Sequence, residues 1–544
     1  MAGYSPISNR SVRQFHQIKR KDSLSSSIGA TSVRKLLAVV RNGPSQSNRT
    51  IHKATEPSKQ NLIANLIILC VSHLAITATY LPYMALQSSL SIWSMPDDVL
   101  PLNINVGSLL LAVGHFCAGI VCLLVVPLNR RMSSNTLLCI SYFCLTVTYT
   151  LNFYPVLYLM IPSSLMLGIS LGLMLNCHIS CLMAIATKLM NIYRFLDEDD
   201  DVKNIRYTCL IRRIARAFKG AHDFGLIIGS VISALIIFWT IGNSNTDKLN
   251  GNITSSLCPN NLTSTNCSTS ESEDMSLYEY SSFLNDIFES VEGQFFSVLP
   301  ITTAQSLNGF FVFLSGAATI LIVIGMDTLN LHTSRDGVEK PPIMRSVREA
   351  FRDSRTQFIA PMMFFIGLEQ AFIYSDFGKY YVVCTLGAQR LNFVYLAMGS
   401  LQSIAACTLS MLLRSIRRYY IVGVGFTFHS CLMLVLILWK PMEDDPALFF
   451  VISAAWGVCN AIWEMLSFTL LTNQYATDRW EAPFAVTSFY RLCGIGVAFT
   501  FHGLLCNYLK LYGLSFFMVV AVITFTYLDI RLENIKKFKN ISRL

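Results

Sequence analysis

Residues 106–127 read VGSLLLAVGHFCAGIVCLLVVP, a run of 22 residues without a lysine, arginine, aspartate or glutamate. As an α-helix this run can cross a hydrocarbon core of about 30 Å, because each residue adds about 1.5 Å. Eleven more predominantly apolar windows of similar length occur, near residues 61–83, 135–153, 157–187, 222–241, 305–326, 358–383, 391–413, 419–439, 447–471, 486–506 and 514–529. The sequence therefore predicts an all-α, polytopic membrane protein with 12 transmembrane helices.

The composition supports this fold class. Of the 544 residues, 53% are hydrophobic and only 14% are charged, whereas a soluble chain has roughly 25% charged residues. Too few charged side chains are available to cover several soluble domains. A spanning β-barrel would require alternating segments of about 10 residues, and the sequence contains none.

The basic residues define an orientation. If the N-terminus is cytoplasmic, 36 of the 42 Lys and Arg residues fall in cytoplasmic segments, 4 fall on the opposite side and 2 fall within spans. Positive residues remain on the cytoplasmic side of a membrane. We therefore expect both termini in the cytoplasm.

The spans divide the chain into five regions. We expect residues 1–60 to form a disordered basic tail and residues 61–326 to form a first half of six helices. We expect a cytoplasmic linker at 327–357, a second half of six helices at 358–529 and a basic tail at 530–544. The loop at about 242–304 in the first half lies outside, where its three N-x-S/T sequons can be glycosylated. These sequons are at Asn252, Asn261 and Asn266.

Most of the 16 cysteines lie in apolar windows, where reduced cysteine acts as a small hydrophobe. Cys258 and Cys267 share the outside loop, and we expect a disulfide between them because that compartment is oxidising. Cys177, His178 and Cys181 lack a fourth ligand, so we expect packing residues and no metal site.

Two cytoplasmic segments leave alternatives open. The serine-rich part of the N-terminal tail is either a solvated arm or a phosphorylatable arm held near anionic lipid. The basic stretch at 203–219 is either a solvated loop or an amphipathic helix on the membrane surface. Both second alternatives make membrane lipid a partner.

Ionisable side chains inside the spans are costly and need a partner or a water-filled cavity. The seventh span holds Glu369 and Asp376, seven residues apart on one helix face. Either these groups pair with neighbours, as Arg491 with Glu464 and Lys379 with Asp376, or they bind an ion, a proton or a substrate. Glu369 is the foremost candidate in such a cavity, together with five others: Gln370, Asp376, Asn460, Glu464 and Arg491.

Several known catalytic motifs are missing from the sequence. It contains no H-E-x-x-H, G-x-x-x-x-G-K-[ST] or C-x-x-C motif. The G-x-S-x-G match at 168–172 lies inside the fourth apolar window and not at the strand-to-helix turn that a nucleophile of this type requires. The basic residues follow the membrane topology and do not gather in one patch. We therefore expect a non-enzymatic protein without a cofactor, a nucleotide or a nucleic-acid partner.

Three stretches carry a resemblance to a known family. The seventh span contains FFIGLEQAF at 364–372, followed by SDF at 375–377 and VCTLG at 383–387. The tenth contains WGVCNAIWE at 456–464, and the eleventh contains YRL at 490–492. Over about residues 60–530 the chain resembles the uncoordinated-93 (Unc-93) family, a branch of the major facilitator superfamily.

The resemblance implies a major facilitator fold of two six-helix halves with a site between them. It also implies regulation or trafficking of another membrane protein, either a potassium channel or an escorted receptor, at the plasma membrane or in endosomes. Plasma membrane is our first expectation. The facilitator loop after the second span is reduced to PLNRRMS at 127–133, without the family's aspartate, which weighs against ordinary transport. The alternative is a secondary transporter of a cation or small solute that uses acidic residues of the seventh and tenth spans.

Overall fold

The computed structural model describes residues 59–90, 106–129, 131–154, 156–192, 200–242, 299–326, 343–413, 416–442, 444–475 and 480–541. Within these ranges the chain is helical and contains no strand. The predicted glycosylation sites Asn252, Asn261 and Asn266 and the predicted Cys258–Cys267 disulfide lie outside the described residues.

Six helices form the N-terminal half of the bundle. They are α1 Lys59–Ser89, α2 Val106–Leu128, α3 Ser134–Leu151, α4 Leu157–Ile192, α5 Asp200–Gly242 and α6 Ile301–Gly325. All but α3 are long and apolar enough to cross a membrane. The 18-residue α3 is less apolar because it contains several serines and threonines, and some of their hydroxyl groups are buried against neighbouring helices. Ser141, for example, donates to the carbonyl of Ser170 on α4 at 2.8 Å.

A short linker helix, α7 Ile343–Arg352, precedes the C-terminal half. That half contains α8 Ser354–Phe372, α9 Leu391–Leu412, α10 Arg418–Leu438, α11 Pro446–Gln474, α12 Glu481–Thr500 and α13 Asn507–Ile541. After α8 the chain continues as a π-helix over Ile373–Val383 and completes the seventh span at Leu386. Eleven described helices meet the length and composition of a membrane span, and α3 is the twelfth member of the bundle.

The fifth helix differs most from its predicted window. We expected a span at 222–241 preceded by a loop or a surface helix, but α5 is a single helix of 43 residues. No proline and only one glycine, Gly220, occur between 203 and 222 to interrupt it. Lys219, which the charge count assigned to a cytoplasmic loop, lies inside the bundle with a side chain that is 16% exposed. In the same way α13 extends well beyond its predicted window of 514–529.

The two halves pack against each other along α2 with α12 and along α5 with α9. Within the C-terminal half, α8 and α12 are in backbone contact. A Cβ atom at Gly367 would lie 2.9 Å from the backbone nitrogen of Ile495 and even closer to the carbonyl of Arg491. Only glycine permits this approach. The close contact of α8 and α12 brings the side chains of Gln370 and Arg491 to facing positions.

The linker helix α7 touches both halves at one end of the bundle. Its apolar residues Val347 and Ala350 pack with Val126 of α2 and with Ala485 and Val486 of α12. Its arginines lie on the exposed side. We call this end of the bundle the linker end.

At the opposite end, α1 is tied to the π-helix. The carbonyl of Tyr374 accepts hydrogen bonds from the hydroxyls of Ser88 at 2.9 Å, Ser89 at 2.6 Å and Tyr395 at 3.2 Å. A π-helix departs from the regular i→i+4 ladder. Serines from the N-terminal half therefore help to hold an irregular segment of the C-terminal half in place.

Candidate functional site

A cavity of about 270 Å³ lies between the two halves. Its walls come from α1, α4 and α5 on one side and from α8, α9, α11 and α12 on the other. Much of the wall is apolar and includes the flexible side chains of Met84, Met174, Met363 and Met465. Charged and amide side chains occupy the remaining wall, where the halves meet.

The first of these groups is an ion pair on α5. Lys219 and Asp223 are four residues apart, so they share a helix face, and their Nζ and Oδ1 atoms are 2.9 Å apart. The ammonium group of Lys219 also contacts Glu464 of α11. Lys219 therefore bridges a carboxylate of its own half and a carboxylate of the other half.

Glu464 also binds a second cation. Its Oε1 atom lies 2.5 Å from Nη2 of Arg491, the pair that the sequence suggested. Arg491 further donates from Nε and Nη2 to Oε1 of Gln370, at 3.2 and 2.9 Å. The amide nitrogen of Gln370 in turn donates to Glu464 at 2.9 Å.

Two amide side chains complete a closed circuit. Gln402 of α9 donates to Asp223 at 2.8 Å, and Asn460 of α11 donates to Gln402 at 3.0 Å. The amide of Gln370 donates to Asn460 at 3.5 Å and closes the circuit. We call these seven side chains the central network: Lys219, Asp223, Gln370, Gln402, Asn460, Glu464 and Arg491. It contains two cations and two carboxylates, so its formal charge is zero.

Burial makes this balance necessary. The side chain of Asp223 is fully buried, and those of Glu464, Lys219 and Arg491 are 11%, 16% and 25% exposed. A buried charge is tolerated only when it is paired and hydrogen-bonded. A charged solute entering the cavity would have to break one of these pairs before it found a partner.

Three histidines line the N-terminal side of the cavity beside Lys219. Nε2 of His73 lies 3.3 Å from Nδ1 of His222, and Phe218 stacks on the His73 ring with centroids 4.1 Å apart. His178 is hydrogen-bonded to the hydroxyl of Tyr142 at 2.8 Å. These rings give the cavity a polar wall that the sequence did not lead us to expect.

The structure separates the six candidate side chains into three places. Gln370, Asn460, Glu464 and Arg491 line the cavity, but Glu369 is not among its described lining residues. Successive residues of a helix point about 100° apart. Glu369 therefore faces the interior of the C-terminal half while its neighbour faces the cavity.

Asp376 lies in another cluster, toward the end opposite the linker. Its Oδ1 atom is 2.8 Å from Nδ1 of His502 and 2.5 Å from Nζ of Lys510. The sequence suggested Lys379 as a partner of this carboxylate; the structure places Lys510 of α13 against it. Cys384 and Cys506, which sequence reasoning had not singled out, are disulfide-bonded.

Sequence reasoning missed several members of the central network. Lys219 was assigned to a loop and Asp223 was not recognised as an intramembrane charge. Their i, i+4 spacing at the start of an apolar window was the available signal. Gln402, an amide in the eighth predicted window, offered a weaker signal because isolated amides also occur in packed helices.

The fold and this site define a class of protein, a twelve-span membrane protein with the major facilitator fold. The crystal structure of the Escherichia coli fucose:proton symporter superposes with a TM-score of 0.51 at 12% identity, covering 86% of this chain and 99% of the symporter. At that identity the likeness concerns the fold alone.

Sequence relatives are Unc-93 proteins, which confirms the resemblance to that family. Unc-93 homolog A of Xenopus laevis is 26% identical over 230 residues, 41% of this chain and 50% of the relative. The human homolog A is 29% identical over 167 residues, 31% of this chain and 36% of the relative.

A nematode relative aligns over more of the chain. Unc-93 of Caenorhabditis elegans, provisionally named as a potassium channel regulatory protein, is 20% identical over 453 residues. This alignment covers 81% of the chain and 57% of the relative. The chain thus spans about half the length of several relatives it matches. No protein-family model matches it.

Proposed function

We propose that this protein is a non-catalytic membrane subunit that binds another integral membrane protein and regulates its activity or trafficking. A potassium channel is the first candidate partner, in line with the name of the nematode relative. A trafficked receptor is the second. The proposed location is the plasma membrane, with both termini in the cytoplasm.

The central network is the observation that carries this proposal. Its two cations and two carboxylates satisfy each other, and the pair of Lys219 with Glu464 joins the two halves. Such a network stabilises one arrangement of the halves without help from a bound ion. A partner that contacts both halves can then sense or change that arrangement.

The proposal is tested by purification after crosslinking. The protein is recovered in mild detergent from membranes that express it naturally, with a Glu464→Gln variant compared in the same cells. We expect a stoichiometric integral membrane partner with the wild type and a reduced yield with the variant. Glu349→Gln, which removes only an exposed pair with Arg345, is the matched control and should retain the partner. Failure to recover any stoichiometric partner with the wild type would overturn the proposal.

A second candidate function is secondary transport. The cavity is large enough for a small organic solute and lies between the two halves, where alternating access would expose it to each side in turn. Because the network is already neutral, the solute it suits is uncharged or zwitterionic with an apolar body, rather than a free cation.

Flux in liposomes tests this second function. Transport through the cavity predicts gradient-driven uptake of such a solute that Arg491→Gln abolishes. Lys440→Gln, at an exposed position beyond α10, should leave the flux unchanged. Absence of flux across a broad panel of neutral and zwitterionic solutes would remove the transport alternative.

A further inference from the structure

A carboxyl group without a partner lies inside the C-terminal half, apart from the central cavity. Glu369 of α8 has no exposed surface, and neither of its carboxyl oxygens has a hydrogen-bond partner among the described residues. The basic side chain beside it is His429 of α10. Nδ1 of His429 lies 4.0 Å from Oε2 of Glu369, which is too long for a hydrogen bond.

His429 is uncharged in this arrangement. The indole Nε1–H of Trp463 donates to Nδ1 of His429 at 2.9 Å. An indole nitrogen can only donate, so Nδ1 is the acceptor and carries no proton. The imidazole ring therefore holds its single proton on Nε2, and it offers no positive charge to Glu369.

The other groups that act electrostatically on Glu369 do not compensate a negative charge there. They are Cys459 and Glu464 of α11 and Arg491 of α12. Arg491 is already bound to Glu464 and Gln370. Glu464 is itself a carboxylate and repels a second negative charge, and a cysteine thiol is neutral.

We infer that Glu369 is a proton-binding site, occupied in this conformation and distinct from the central network. A buried carboxylate without a cation or a hydrogen-bond donor takes up a proton, because the ionised form is very poorly solvated. The proton comes from water and bonds to a carboxylate oxygen, which converts the anion into the neutral acid.

Release of this proton requires a change of structure. Since Glu369 has no exposed surface, water reaches it only after α8 moves relative to α10 and α11. Proton binding therefore favours the conformation described here over any conformation that exposes the side chain. This coupling holds whether the chain regulates a partner or moves a solute.

Infrared spectroscopy of the purified full chain at pH 7 tests the inference. We expect the carbonyl-stretching band of a protonated carboxyl group in the wild type. The band should disappear in Glu369→Gln and persist in Glu464→Gln, because Glu464 is ionised between two cations. A wild-type spectrum without the band, or a band that survives Glu369→Gln, would overturn the inference.

Thermal stability gives a second, independent readout. A glutamine closely matches a neutral glutamic acid in shape and charge, so Glu369→Gln should melt within about 1 °C of the wild type, in the range of mutations that change little. The same substitution at Glu464 should lower the melting temperature by several degrees. If Glu369→Gln fails to fold or melts as low as Glu464→Gln, then Glu369 is ionised and paired, and the inference is wrong.

Discussion

Removing the carboxylate of Glu464 is the sharpest perturbation of the central network. In Glu464→Gln, Lys219 keeps Asp223 and Arg491 keeps Gln370, but the network acquires one uncompensated positive charge. Breaking a buried pair by removing one partner costs about 3–5 kcal/mol. We expect the lower end, about 3 kcal/mol, because Lys219 and Arg491 remain partly exposed to the cavity.

The expected shift in melting temperature follows from chain length. An unfolding entropy of roughly 2 cal/mol/K per residue gives about 1 kcal/mol/K for a bundle of this size. A loss of about 3 kcal/mol then lowers the melting temperature by about 3 °C. Unfolding of large membrane proteins is commonly irreversible, so all variants are compared at one heating rate in one detergent.

A double-mutant cycle isolates the electrostatic cause. Lys219→Met alone leaves one excess negative charge, whereas Lys219→Met with Glu464→Gln leaves the neutral set of Asp223 and Arg491. We expect the double variant to be about 2 kcal/mol more stable than the sum of the single losses, within the range of coupling energies for contacting residues. Strict additivity would refute the view that these charges act as one neutral unit.

Three further predictions concern packing, the second charge cluster and the orientation. Gly367→Ala should destabilise the protein by about 1–3 kcal/mol, because its Cβ would collide with the backbone of α12. Gly423→Ala, where no atom lies within 4 Å of the added Cβ, should be neutral or stabilising by up to about 1 kcal/mol. Equal melting temperatures for the Gly367→Ala and Gly423→Ala variants would contradict this prediction. Lys510→Met should cost about 3 kcal/mol by removing a lysine from the buried carboxylate of Asp376, while the exposed Lys440→Met should cost less than about 0.5 kcal/mol in the same melting assay. Glycosidase digestion should increase gel mobility of the wild type but not of a variant in which all three loop sequons carry glutamine, at Asn252, Asn261 and Asn266; a shift lost instead with Asn540→Gln would reverse the orientation.

The spans were predictable because lipid imposes a simple rule on length and apolarity. Residues 106–127 already meet that rule, and the helix α2 occupies Val106–Leu128. Helix ends were less predictable where a helix continues past the membrane. The extension of α5 to Asp200 carries charges that a hydropathy window rejects, although they do not stop a helix.

The residue types of the candidate site were predictable from the sequence, but the directions in which their side chains point were less so. Intramembrane charge identified Glu464 and Arg491, which do pair in the wall of the cavity. The adjacent residues Glu369 and Gln370 show that the sequence did not indicate which face of α8 lines the cavity. Sequence reasoning favoured Glu369, but the packing of α8 turns Gln370 toward the cavity and Glu369 away from it.

The position of Lys219 depended on a tertiary contact. A lysine just outside an apolar window is normally assigned to the membrane surface, and only the approach of α11 brings Glu464 against Lys219. Similarly, the cation against Asp376 lies on α13, far away in sequence. Partners on separate helices cannot be assigned from one sequence without the packing of those helices.

The mass of the intact complex, measured after gentle purification from native membranes, tests the central claim most directly. A regulator predicts a particle heavier than the 60.9 kDa of one chain, in which a second integral membrane protein is present at a fixed ratio. A particle that contains this chain alone, together with solute flux through the central cavity, would contradict the regulatory function and support transport.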